Sequence, residues 1–221
     1  MTDGAGFWNR IAARYARTPI KDEAAYEHKL GLTREFLDPC YQVLELGCGT
    51  GGTAVRHAPL VRRITAVDIS SKMIAIGRER AVDAGVTNVD FQVSALESFD
   101  APAETYDVVL ALSLLHLVAD RDAAIARVRD LLKPGGVFIS NTACLAGVHG
   151  WLRFLGPPGR MLSILPLVRI FSERDLRASL EAAGFDIELC WKPDGKSRYV
   201  VFLVARRLGE ASLGGDAATP A

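Results

Sequence analysis

No stretch of the chain reaches the roughly 18 uninterrupted apolar residues of a membrane-spanning helix, so an embedded protein is not expected. Neither sign of charge is in excess, since 26 Lys and Arg balance 26 Asp and Glu. A bulk nucleic-acid binder would be basic overall. Cysteine is scarce, with four residues at Cys40, Cys48, Cys144 and Cys190. No pair shows C-x-x-C spacing, so no metal site is expected, and the four read as small core residues in a reducing compartment. The opening residues, Met1 to Gly6, lack a basic region followed by an apolar run. No secretory signal is therefore expected, and the chain reads as cytoplasmic. Its 221 residues suffice for one domain with one substantial core.

Two helices are expected over 7–37, with a turn at Thr18-Pro19-Ile20, where proline blocks continuation. Short apolar runs follow at Gln42–Leu46, Ile64–Val67, Val89–Val93, Tyr106–Leu112 and Gly136–Ser140. Runs rich in Val, Ile and Leu fit strands buried on both faces. Helical segments Ser71–Ala84 and Asp120–Leu132 separate them; the second stops at Lys133-Pro134-Gly135-Gly136. Such alternation implies βαβ crossovers and a parallel sheet. The end differs. Ser172, with Asp175 three places on, starts a helix to Ala183. Phe185–Trp191 and Arg198–Ala205 then read as an antiparallel pair joined at Pro193-Asp194-Gly195.

Gly47, Gly49 and Gly51 lie where a strand must turn sharply into a helix. Glycine permits positive φ and close approach of a ligand, and a helix start offers free N–H groups. Asp68 ends the next strand, at the spacing from which an acid reaches ribose hydroxyls. Gly47, Gly49 and Gly52 also satisfy G-x-G-x-x-G literally, so the glycines alone fit NAD as well. Glu45, two residues before the first glycine, points elsewhere. A carboxylate is unfavourable beside a pyrophosphate and favourable beside the ammonium of a methionine moiety.

The arrangement Glu45-Leu46-Gly47-Cys48-Gly49-Thr50-Gly51, with Asp68 in Ala66-Val67-Asp68-Ile69-Ser70, resembles class I S-adenosylmethionine (SAM) dependent methyltransferases. Leu131-Leu132-Lys133-Pro134-Gly135-Gly136 and the terminal hairpin share the likeness, which covers roughly residues 7–206. Closer in, the chain is similar to small-molecule methyltransferases of the ubiquinone and menaquinone biosynthesis type. The resemblance implies an α/β, Rossmann-like seven-stranded sheet in the order 3-2-1-4-5-7-6, with the last strand antiparallel. It implies SAM as cofactor and S-adenosylhomocysteine (SAH) as product. Glu45, Gly47, Cys48, Gly49, Thr50 and Gly51 would line the methionine part, and Asp68 would hold the ribose hydroxyls. Ile69 and Met73 would pack on the adenine face. Ser94, flanked by Ala95 and Leu96, takes the place where the family usually has an acid for the adenine amino group. Leu112 would also border the cofactor. Tyr15, from the first helix, would lie over it.

Methyl transfer is an in-line displacement that mainly needs alignment, worth roughly 7–11 kcal/mol. One candidate base follows the fourth strand: His116, in Leu112-Ser113-Leu114-Leu115-His116, could position or deprotonate an acceptor; its bland reading is a buried structural histidine. A long insertion over 143–171 is expected to cover the acceptor. It carries Trp151, Phe154 and Arg153, and no acid occurs from Leu131 to Ser172. That composition favours a lipophilic acceptor and would also suit loose docking on an anionic bilayer surface. Residues 1–206 form the expected domain, with 7–37 as a helical cap and 207–221 as a disordered tail. Balanced charge disfavours RNA, and Ala111-Leu112-Ser113-Leu114 lacks an Asn-Pro-Pro-Tyr-like tetrapeptide, disfavouring methylation of exocyclic amines in nucleobases or glutamine. The alternatives are a methyltransferase acting on RNA or protein, an NAD-dependent oxidoreductase, or a non-catalytic protein with the SAM-binding fold.

Overall fold

The structure is a computed structural model that describes residues 3–146, 167–194 and 199–209. Helices α1 (Asp3–Arg17) and α2 (Glu23–Arg34) precede β1 (Gln42–Leu46), α3 (Gly52–His57), β2 (Arg63–Asp68), α4 (Ser71–Asp83) and β3 (Val89–Val93). Then come β4 (Tyr106–Leu112), α5 (Arg121–Leu131), β5 (Leu132–Ala143), α6 (Glu173–Ala182), β6 (Phe185–Trp191) and β7 (Val200–Arg207). Short polar side chains start four of the helices. Asp22, Ser70, Asp120 and Ser172 each accept from a backbone N–H of the first turn, and Ser172 with Asp175 completes a capping box. Each such cap is worth about 1 kcal/mol.

The strands form one seven-stranded sheet in the order β3-β2-β1-β4-β5-β7-β6. Strand β7 runs antiparallel to both β5 and β6, and the other pairs are parallel. One face buries Leu44, Leu46, Val109 and Phe138 against α5 and α6. The other buries Val43, Ile64, Val108 and Ile139 with Ile74 of α4, and Leu32 and Phe36 pack on that cluster. Central strands are buried on both faces, as their unbroken apolar runs require. The two edge strands, β3 and β6, are only partly buried, and Val93 of β3 is exposed.

Strand β5 starts earlier than its apolar run, because Leu132 already pairs with Tyr106 before the chain bulges through Lys133–Gly136. Gly136 has no room for a side chain there, since a Cβ would meet the Lys133 carbonyl at 2.9 Å. Asp107 steadies the bulge by accepting from Lys133 Nζ (2.6 Å) and the Gln42 N–H (2.8 Å). All four cysteines are free. Cys48 and Cys144 are buried as expected, whereas Cys40 is exposed in the loop before β1. Residues 147–166 and 210–221 lie outside the described residues, with most of the expected insertion and tail. Among the described residues no helix is long and apolar enough to cross a membrane.

His57, at the end of α3, is 0% exposed. Burial holds its imidazole down to about 4, from 6.5. The unfolded chain therefore binds the proton first. Its stabilising contribution is complete above pH 6.5 and is lost as pH falls towards 4, about 3 kcal/mol in all. Urea unfolding should show the wild type losing about 2–3 kcal/mol more than His57→Leu between pH 7 and pH 4.5. Equal losses would contradict this.

Candidate active site

Strand β1 delivers the chain into a turn in which Gly47, Gly49 and Gly51 have φ of 67°, 54° and 70°. The three glycines serve different ends. A Cβ on Gly47 would strike Leu114 Cδ1 at 2.9 Å, and one on Gly51 would strike the Phe91 ring at 2.7 Å. Gly49 has nothing within 4 Å of that position, so a ligand can approach its backbone. Cys48 sends its side chain into the core, so only its backbone borders the turn. Thr50 is also buried, and its hydroxyl accepts from Arg80 Nη1 at 2.7 Å. Only six residues of helix follow. The free N–H groups themselves, rather than a long dipole stack, carry the positive charge there.

Two carboxylates face this turn. Asp68 Oδ2 accepts from the Gly49 N–H at 2.9 Å, and its Oδ1 accepts from the Ser70 N–H at 2.8 Å. Burial raises its pKa against those two donors. Each oxygen keeps a free lone pair for a hydroxyl. Glu45 is 3% exposed, and its Oε2 has no partner among the described residues. Burial pushes its carboxyl up to about 8, Asp68 adds to the rise, and a backbone hydrogen bond from Ala54 opposes it. A buried, orphaned acid at a strand end is costly unless a cation comes to meet it.

Helix α1 closes one side. Asn9 Oδ1 accepts from Ser70 Oγ (2.8 Å) and the Lys72 N–H (3.1 Å). Arg80, besides holding Thr50, donates to the Ala16 carbonyl at 3.0 Å. One guanidinium thus links α4, the glycine turn and α1. Tyr15 is 52% exposed, with Trp8 edge-on to it at 6.4 Å. Partial burial first and the nearby Asp68 second raise its phenol pKa. Ile69 is half-buried beneath the start of α1, whose Gly4 would bring a Cβ to 3.2 Å from Ile69 Cδ1. Sequence reasoning missed Asn9 and Arg80, which act across 61 to 64 residues of chain.

The expected adenine side is mixed. Ser94 is half-buried; its N–H donates to the Asp68 carbonyl (3.1 Å) and its hydroxyl to the Ala95 carbonyl (3.0 Å). Ala95 is half-buried, whereas Leu96 and Met73 are buried. Beyond β4, Leu112 is half-buried, and Ser113 adopts φ of 65°. His116 is half-buried; its Nδ1 has no partner among the described residues, and burial lowers its pKa. It is therefore neutral at pH 7. The Arg169 N–H donates to the His116 carbonyl at 2.8 Å, and Ala146 N–H to the Phe171 carbonyl at 3.2 Å. The chain on either side of 147–166 is thereby fastened near the β4 loop. Trp151, Arg153 and Phe154 lie outside the described residues. Among the described residues no group of three or more His, Cys, Asp or Glu could hold a metal ion.

Both the sequence and the fold are similar to those of known proteins. Residues 43–136 match the family model described as a methyltransferase domain. A ubiquinone biosynthesis O-methyltransferase of Cereibacter sphaeroides is 33% identical over 158 residues, covering 62% of this chain and 64% of that protein. The YcgJ protein of Bacillus subtilis has the same fold, with a TM-score of 0.68 at 19% identity over 83% of this chain and 99% of that one. So does the [4+2]-cyclase SpnF, with a TM-score of 0.67 at 23% identity over 81% of this chain and 79% of that one. The chain spans less than two thirds of the length of the curated relatives it matches. Residues 43–136 thus carry a methyltransferase domain, the fold is that of SAM-dependent methyltransferases, and SAM is the cofactor of such proteins. The residues present fit SAM: Glu45 awaits a cation, Gly49 leaves room, and Asp68 retains acceptors for hydroxyls.

That fit has a proton signature. At pH 7 the Glu45 carboxyl is mostly protonated in the free protein, and an ammonium beside it would ionise it. SAH binding should release close to one proton at pH 7 and progressively less as pH rises through about 8. Calorimetry in buffers of different ionisation enthalpy reads this directly. Glu45→Gln should abolish the release and weaken binding roughly tenfold or more. Binding without proton release in the wild type would contradict the role of Glu45.

Proposed function

We propose that this protein transfers a methyl group from SAM to a small, rather apolar acceptor. The observation that carries this reading is the buried Glu45 carboxyl, whose Oε2 has no partner among the described residues, at the end of the strand that enters the glycine turn. Glu45 would take the ammonium of the methionine moiety, while Asp68 would take the ribose hydroxyls. Gly47, Gly49 and Gly51 shape the turn against which the methionine part lies. Ile69, Ser94 and Ala95 border the adenine, and Tyr15 covers the crevice from α1. Bound SAM supplies a sulfonium-activated methyl group, and its departure to a nucleophile leaves SAH.

The protein's own work is alignment and, where the acceptor needs it, removal of one proton. His116 suits both. Its imidazole is neutral at pH 7, and one nitrogen is free to accept. The name of the Cereibacter relative supports a small aromatic acceptor, and the apolar, acid-free sequence around Trp151, Arg153 and Phe154 supports a lipophilic one. A buried acid at Glu45, which an anion beside it would hold protonated and a cation would ionise, favours an ammonium over the pyrophosphate of NAD, and 26 basic against 26 acidic residues disfavour RNA.

A panel of phenols, quinols, thiols and amines assayed for SAH release tests the activity. At least one lipophilic member should be methylated. With that acceptor, His116→Ala should slow single-turnover transfer by roughly 10²-fold or more. An unchanged single-turnover rate would remove His116 from the chemistry, and SAH binding without turnover on any acceptor would favour a non-catalytic protein of this fold.

A further inference from the structure

Buried polar atoms without partners gather at the carboxyl ends of β4 and β5. Among the described residues they are His116 Nδ1, Ser140 Oγ, Asn141 Oδ1 and Thr142 Oγ1. Buried polar groups are ordinarily satisfied, and an orphan costs about 1–3 kcal/mol. Asn141 is the most constrained of the four. It is 7% exposed and pairs in register with Leu112, the last residue of β4. Alternation along β5 puts it on the face of Val137 and Ile139, opposite Ser140 and Thr142.

The amide of Asn141 is pinned at one end. Its Nδ2 donates to Ser113 Oγ at 3.2 Å, while its backbone carbonyl accepts from the Ser113 N–H at 2.6 Å. This double tie holds Ser113 at φ of 65°, a conformation that non-glycine residues rarely take. Strain of that kind persists where surrounding structure over-determines it. The next residue, Leu114, packs against Gly47 of the glycine turn, and His116 lies two residues beyond. One residue therefore fixes the loop that carries His116 and keeps an unspent acceptor oxygen at the same end of the sheet.

We propose that Asn141 Oδ1 accepts a hydrogen bond from the methyl acceptor, so the site selects molecules whose reacting group, or its neighbour, carries an O–H or N–H. This rests on the methyltransferase reading above and adds a specificity-determining residue to it. A site built to hydrogen-bond a donor discriminates strongly against an analogue lacking it, because its own polar atom is left unpaired.

Ligand-observed NMR with the SAH-loaded full chain compares catechol with 1,2-dimethoxybenzene, which keeps the ring and lacks the donors. The wild type should bind catechol at least about tenfold more tightly. Asn141→Ala should reduce that ratio to about twofold or less while retaining thermal stabilisation by SAH. Asn141→Asp keeps an acceptor oxygen in place and should preserve the preference, which a purely structural role would not require. Equal binding of the two probes by the wild type, failure of both to bind, or an unchanged ratio in Asn141→Ala would overturn the proposal. If SAH itself fails to stabilise the wild type, the methyltransferase reading falls with it; if SAH binds and the ratio is unmoved, only the role of Asn141 falls.

Discussion

The carboxylate of Asp68 joins the glycine turn after β1 to the loop that starts α4. One oxygen holds the Gly49 N–H and the other holds the Ser70 N–H. The first sets the glycine turn after β1, and the second sets the start of α4. Ser70 in turn caps α4 and donates to Asn9, so the first helix is placed by the same chain of bonds. Arg80 closes the circuit by donating to Thr50 and to the Ala16 carbonyl. Three elements far apart in sequence thus share one polar network, as such networks do when they specify a unique arrangement.

Glu45 pulls the other way. Strand β1 carries it into the interior, where a carboxylate without a partner destabilises the fold or stays protonated. Nothing in the sheet requires an acid at that position, since its neighbours Leu44 and Leu46 are ordinary core residues. Protonation relieves that cost at pH 7, and a cation beside it would let the acid ionise. Ser113 and Asn141 show the same pattern at the end of β4 and β5: local strain and unpaired polar atoms, held in place by a well-packed sheet. These departures from a tidy core cluster where a ligand would sit, as expected of functional positions.

Much of this was legible in the sequence. Apolar runs and helix caps located the strands and most helix ends, because burial on both faces and capping leave local signatures. The glycine turn was also legible, although Gly47, Gly49 and Gly51 taken alone fit two cofactors and only Glu45 separated them. What sequence did not disclose is orientation and long-range pairing. Cys48, inside the glycine turn, is packed in the core, and Met73 at the start of α4 is buried. Arg80 and Asn9 act across more than 60 residues, and no spacing rule links them to the turn. Asn141 falls just past the apolar run Gly136–Ser140, and an orphaned amide becomes visible only when its neighbours are known.

The glycine turn, Glu45 and Asp68 together suit the methionine and adenosine parts of SAM rather than a dinucleotide. Thermal unfolding with SAH or with NAD⁺ tests it most directly. Only a ligand that binds the native state raises the midpoint. SAH at about a hundred times its Kd should raise it by roughly 5–10 °C, while NAD⁺ at the same concentration should leave it unchanged. A rise with NAD⁺ and none with SAH would contradict the account.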